Sequence, residues 1–129
     1  MPEGAAWGLS RIGQIAVTVQ DLERSVAFYR DRLGMKHLFT VPNMAFFDCE
    51  GINLLLSKPE QPEFDHPSSI IYFAVDDIHR AYAVMSGRGV VFERAPHQIA
   101  RMERYDLWMA FFRDSENNLL GLMSRVSRG

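Results

Sequence analysis

The feature that most constrains this 129-residue chain is an internal repeat. From Ile12 to Val19 the sequence alternates, with Ile15, Val17 and Val19 on one side and Gln14, Ala16 and Thr18 on the other, the period-two signature of a half-buried strand. At Asp21 the period changes. Leu22, Val26, Tyr29 and Leu33 form a helical stripe, Asp21 is a suitable N-cap, and Gly34 suits the left-handed position beyond the end. Three short strands are expected next, at Lys36–Val41, Met44–Cys49 and Ile52–Ser57, divided by Pro42-Asn43 and Glu50-Gly51, both turn chemistry. After a proline-rich connector the order recurs: a strand at Ile70–Val75, a helix capped by Asp76 or Asp77 that carries Ile78, Tyr82 and Met85 and ends at Gly87 and Gly89, then strands at Val90–Glu93, Leu107–Arg113 and Asn118–Ser124. Local text repeats as well. Val19-Gln20-Asp21-Leu22 echoes Val75-Asp76-Asp77-Ile78 at an offset of 56, and Asn53-Leu54-Leu55 echoes Asn118-Leu119-Leu120 at 65. The difference of nine places an insertion between Arg94 and Asp106.

Such a repeat predicts an α+β fold of two paired βαβββ modules, residues 10–58 and 69–125, joined by the connector 59–68 within one domain spanning 1–129. Neither module alone would bury its sheet face, so the two are expected to be stable only together. Composition limits the function classes. A net charge of −2 gives no basic footprint for nucleic acid or an anionic membrane, and no apolar run reaches the ~20 residues of a spanning helix. One cysteine, Cys49, excludes an intrachain disulfide and any Cys-cluster zinc site. Met1 to Ser10 has neither the basic end nor the apolar stretch of a secretory signal, so a cytoplasmic location is expected.

The residues Ile15-Ala16-Val17-Thr18-Val19-Gln20-Asp21-Leu22-Glu23-Arg24-Ser25, with Phe28-Tyr29 before Leu33-Gly34, resemble the vicinal oxygen chelate superfamily, which includes glyoxalase I, bleomycin-resistance proteins and extradiol dioxygenases. Phe73-Ala74-Val75-Asp76-Asp77 and Phe112-Arg113-Asp114-Ser115-Glu116-Asn117-Asn118 carry the resemblance into the second half, so that it extends from about Ile12 to Met123. It implies sheets curled into a cup, a homodimer, and, in the metal enzymes, a divalent ion held by four residues on four strands. Those four positions fall at Gln14, Leu55, Ile70 and Gly121. Only Gln14 has a donor atom, and a neutral amide is a poor anchor for a catalytic metal. The expected protein is therefore metal-free and cofactor-free, and binds a small apolar or aromatic molecule in its cup, by resistance-type sequestration or for metal-independent chemistry. The alternative is a metal-dependent lyase, isomerase or dioxygenase with relocated ligands such as His66, His97 and Glu103 around a divalent ion.

Several residues are candidates for ligand contact. Gln14 offers a polar group at the cup floor, and Ser57 and Tyr72 lie on strands expected to line it. The segment Ala95–Tyr105 is long for a hairpin connection and reads as a lid bringing His97 or Arg101 to a ligand. Trp108, in an apolar strand, reads as a stacking wall. Seven Met, nine Phe, four Tyr and two Trp supply adaptable apolar surface for such a cavity. Cys49 lies between Asp48 and Glu50, which would raise its pKa and leave it a poor nucleophile. Nothing in the chain matches a phosphate loop or a hydrolase triad.

Overall fold

The computed structural model describes residues 7–127, so most of Met1 to Ser10 lies outside the described residues. The first module is β1 (Gln14–Thr18), α1 (Leu22–Ala27, continued by a π-type turn over Phe28–Arg32), β2 (Lys36–Val41), β3 (Met44–Cys49) and β4 (Ile52–Ser57). A short 3₁₀ turn, Pro62–Phe64, interrupts the connector. The second module is β5 (Ile71–Ala74), α2 (Ile78–Gly87), β6 (His97–Arg101), β7 (Tyr105–Arg113) and β8 (Leu119–Ser127). Each module folds one four-stranded sheet, in the orders β1-β4-β3-β2 and β5-β8-β7-β6. The first strand of each runs parallel to the last, and the other pairs are antiparallel. The repeat is thus an architectural one, and the fold is α+β with two open mixed sheets, in keeping with a curled cup.

Local chemistry sets the element ends. Asp21 and Asp77 each accept a hydrogen bond from the backbone N–H three residues on, at 3.1 Å, satisfying one of the orphan donors of α1 and α2. At the β3–β4 turn Glu50 (φ 47) and Gly51 (φ 93) are both left-handed, the geometry a two-residue hairpin requires. Helix α1 widens where the Leu33 N–H reaches back to Phe28 C=O at 3.1 Å. That extra residue lets the neighbours Phe28 and Tyr29 both turn inward, and both are buried.

Alternation then sorts each sheet into two faces. Val17, Leu54, Leu56, Ala45 and Phe47 of the first sheet point to the same core as Ala110, Phe112, Leu120 and Leu122 of the second, together with Val26, Tyr29 and Ile78 from the helices. Polar bonds clasp the modules across this core. Tyr29 Oη donates to Asp114 at 2.7 Å, while Asp114 also accepts from the N–H groups of Glu116 and Asn118 and from Asn118 Nδ2. Glu116 in turn accepts from the N–H groups of Gln20 and Asp21, and Asn118 Nδ2 donates to Thr18 C=O.

Two expectations are corrected. The stretch Val90–Glu93 forms no strand: it keeps a single bridge, Phe92 opposite Phe112, and Phe92 packs its ring on Tyr82 and Phe112. Its apolar alternation comes from packing under α2 rather than from a ladder. The second strand of the second module lies instead at His97–Arg101, inside the segment read as a lid. That segment pairs with β7 through a bulge between Gln98 and Ala100, and the chain turns back where the Met102 N–H meets Tyr105 C=O at 2.8 Å. The insertion lengthens a hairpin.

Candidate functional site

The sheet faces turned away from the shared core form the cup. On β1 and β4 the outward pairs are Ala16 opposite Leu55 and Thr18 opposite Ser57, with Gln14 opposite Asn53. On β5, β8 and β7 the matching set is Tyr72 opposite Gly121 and Phe111 opposite Gly121. A concavity of about 940 Å³ opens here, lined by Gln14, Leu55 and Ser57 from the first module, Ile70 and Tyr72 from the second, and the connector between them. This size falls within the ~300–1,000 Å³ range of small-molecule sites.

Apart from His66, the connector is the part of the site that sequence reasoning does not anticipate. Its residues Glu60, Phe64, His66 and Ser68, with Lys58 at the end of the first module, form a wall of the concavity. Hydrogen bonds pin it at both ends: the Lys58 N–H donates to Asn43 C=O at 2.9 Å, and the Thr18 N–H donates to Ser68 Oγ at 3.0 Å. Asn43 Nδ2 adds a bond to Glu60 Oε1 at 2.9 Å. Three prolines and a lone Phe-Asp-His mark this stretch as irregular, but which surface it crosses depends on where β1 and β5 lie.

The four positions that the resemblance assigns to a metal come together only in part. Gln14, Leu55 and Ile70 line the one concavity. At Gly121 the place of a side chain is taken: a Cβ there would lie 2.9 Å from Tyr72 Cδ2 and 3.3 Å from Phe111 Cε1, because the Tyr72 ring lies over the glycine, edge-on to Phe111. One amide oxygen among three hydrocarbon positions is not a donor set for a divalent ion. Nor do relocated ligands gather: among the described residues no three His, Cys, Asp or Glu side chains cluster so as to hold a metal. His66 lines the main concavity and His97 a neighbouring one.

The other candidates divide by face. His97 stands opposite Met109 on the cup side, and with Tyr72, Ile70 and Phe111 it lines a second concavity of about 410 Å³. Trp108 and Arg101 lie on the opposite face. Trp108 stands in register with Gln98, packs on the shared core and meets the His79 ring of α2 at 5.1 Å, and its buried Nε1 has no hydrogen-bond partner. Arg101 stands opposite Asp106, beyond the bulge that shifts the β6 register. The stacking wall expected at Trp108 and the lid contact expected at Arg101 are therefore not on the cup; the aromatic residues that are there are Tyr72 and Phe111. At Cys49, burial first, then the Glu50 and Asp48 carboxylates, push the thiol pKa up, which disfavours the thiolate.

Among the described residues no helix is long and apolar enough to cross a membrane. A family model described as the Glyoxalase/Bleomycin resistance protein/Dioxygenase superfamily matches residues 11–122. The Bacillus subtilis (strain 168) protein YraH is 28% identical, with 83% of this chain and 92% of that protein covered. Among solved structures, a glyoxalase/bleomycin resistance protein/dioxygenase from Nocardioides superposes with a TM-score of 0.75 at 20% identity, over 98% of this chain and 91% of the other. A lactoylglutathione lyase from Agrobacterium tumefaciens gives 0.73 at 21%, over 90% and 94%. At these identities the structural likeness establishes the fold.

Proposed function

The chain belongs to the Glyoxalase/Bleomycin resistance protein/Dioxygenase superfamily, and from that premise we propose that it binds a small, largely apolar or aromatic molecule in its cup without a resident metal. The observation that carries this reading is the exchange at Gly121, where the Tyr72 ring fills the space that a metal-ligating side chain would need. An aromatic ring has become part of the floor, so this end of the cup favours contact with an apolar or π surface rather than charge-based activation of a substrate. Gln14 and Ser57 supply polar contacts at the opposite side and His97 a further one at the rim. Binding serves sequestration, as in resistance proteins, or a reaction that uses no metal. The same reading makes the working unit a homodimer in the cytoplasm, a reducing compartment that suits one unpaired cysteine.

Two measurements test it. Protein purified without chelator should contain well under one equivalent of transition metal by mass spectrometry, and chelator should leave its melting temperature unchanged. A thermal-shift screen of small aromatic molecules should give hits that Leu55→Asp abolishes. One tightly held metal ion per chain would overturn the metal-free reading, and an aromatic screen without a hit would overturn the cup as a binding site.

A further inference from the structure

The second concavity deepens this reading, and rests on it, by naming the ligand's head group. His97 lies on the cup face of β6 and is oriented by Arg94: Arg94 Nε–H meets His97 Nδ1 at 3.1 Å. A guanidinium has no lone pair to offer, so it must donate, and Nδ1 must accept. The Ala95 carbonyl, 3.4 Å from the same nitrogen, is then a close neighbour and not the acceptor of an Nδ1–H. This arrangement needs the neutral ring with its proton on Nε2. Among the described residues no protein acceptor meets Nε2–H, and Arg94 keeps its terminal nitrogens uncommitted. Both side chains line the concavity that also contains Tyr72 and Phe111.

Charge at this rim favours an anion. Glu93, which also lines this concavity, is already paired with Arg113, Nε to Oε1 at 3.0 Å, so the Arg94 guanidinium is the charge here without an ion-pair partner among the described residues. Ile70 and Tyr72 line this rim and the main concavity alike, so the two adjoin at the Tyr72 ring. We propose that Arg94 and His97 form a carboxylate subsite, so that the ligand is an aromatic or apolar carboxylic acid bound as its anion. Its body lies over Tyr72 and Phe111, one oxygen accepts from Arg94, and the other accepts from His97 Nε2–H. Two donors of fixed direction suit the planar, two-oxygen carboxylate better than a single-point acceptor.

The test compares 2-naphthoate with the uncharged 2-naphthalenemethanol, by calorimetric titration of the full chain. The wild type should bind the carboxylate more tightly by about tenfold to a hundredfold, the range of charge-assisted hydrogen bonds. Arg94→Gln should remove most of this preference and His97→Phe part of it, whereas Trp108→Phe, on the core face, should change the binding of either probe less than about threefold. In ¹⁵N spectra of histidine-labelled protein, His97 should show the Nε2–H tautomer, and naphthoate should shift that nitrogen. Equal binding of the two probes by the wild type would overturn the carboxylate subsite and leave the apolar cup standing. Failure of both probes to bind would overturn the cup and this subsite with it. A preference that survives Arg94→Gln and His97→Phe would place the head group elsewhere and also overturn the proposal.

Discussion

Replacing Asp114 by Ala tests the clasp between the modules most directly. Asp114 is 6% exposed and accepts four hydrogen bonds, from Tyr29 Oη at 2.7 Å, Asn118 N at 2.8 Å, Glu116 N at 2.9 Å and Asn118 Nδ2 at 3.0 Å. Removing the carboxylate leaves the Tyr29 hydroxyl unpaired in a site with no solvent exposure, a cost of about 1–3 kcal/mol. The two backbone amides are only partly buried, and water replaces part of their bonding, so each adds roughly 0.5–1 kcal/mol. The total is about 2–5 kcal/mol, a large share of the ~5–15 kcal/mol that holds a domain folded. Urea denaturation should report this loss, with a fall in melting temperature of about 4 °C per kcal/mol. A double-mutant cycle with Tyr29→Phe isolates the cross-module bond. In the Tyr29→Phe background the cost of Asp114→Ala should shrink by about 1–3 kcal/mol, because no buried hydroxyl remains to be orphaned. Costs that add to within about 0.5 kcal/mol would refute the clasp and reduce Asp114 to a local turn residue.

The same tyrosine predicts a pH effect. Burial, then the Asp114 charge and the hydrogen bond to it, raise the Tyr29 pKa well above the ordinary phenol value of 10.0. The folded state therefore keeps a proton that the unfolded chain releases above that value, and the stability this proton supports is present below pH 10 and lost above it. The difference in unfolding free energy between wild type and Tyr29→Phe should fall by about 1.4 kcal/mol per pH unit above pH 10, and be flat below it. Gly121→Ala should displace the Tyr72 ring, visible in aromatic NMR shifts. Its stability cost should be no more than about 1 kcal/mol, because that ring is 41% exposed and free to move, and its effect on cup binding larger. Trp108→Phe should change stability by less than about 1 kcal/mol, since the lost ring volume is offset by removal of an unpaired buried N–H. Ligand binding should be untouched, because Trp108 lies on the core face. Cys49 should react with a disulfide reagent more slowly than free cysteine at pH 8, and Asp48→Asn with Glu50→Gln should accelerate it.

What the sequence can show follows from the range over which each signal acts. Asp21, Asp77, Gly34 and Gly51 mark caps and turns within a few residues of themselves, and all four act in the structure as their chemistry suggests. The period-two alternation of β1 is equally local. The position of β6 is not, because two stretches, around Phe92 and around Ile99, compete for one partner, and the choice depends on the length of β7. Face assignment fails at Trp108 for a related reason. The run Leu107–Phe112 has no polar residue to say which face is which, and register against Met123 and Ser124 decides it. The repeat itself misleads by one residue. Seven residues separate the paired Phe112 and Leu120, against six between Phe47 and Leu54, so the ladders make Leu55 the equivalent of Gly121, although the text matches it to Leu120. A slip of one would turn the site residue into a core residue.

The wall of the cup is the segment that joins the two halves, and this separates what keeps the protein folded from what it selects. Both ladders, the shared core and the Asp114 clasp close without residues 59–67. Lengthening a surface connector costs only about 0.6 kcal/mol per doubling. Insertions and substitutions there would reshape the mouth of the cup while the scaffold stays intact, so the shape of that mouth is free to vary independently of what holds the fold.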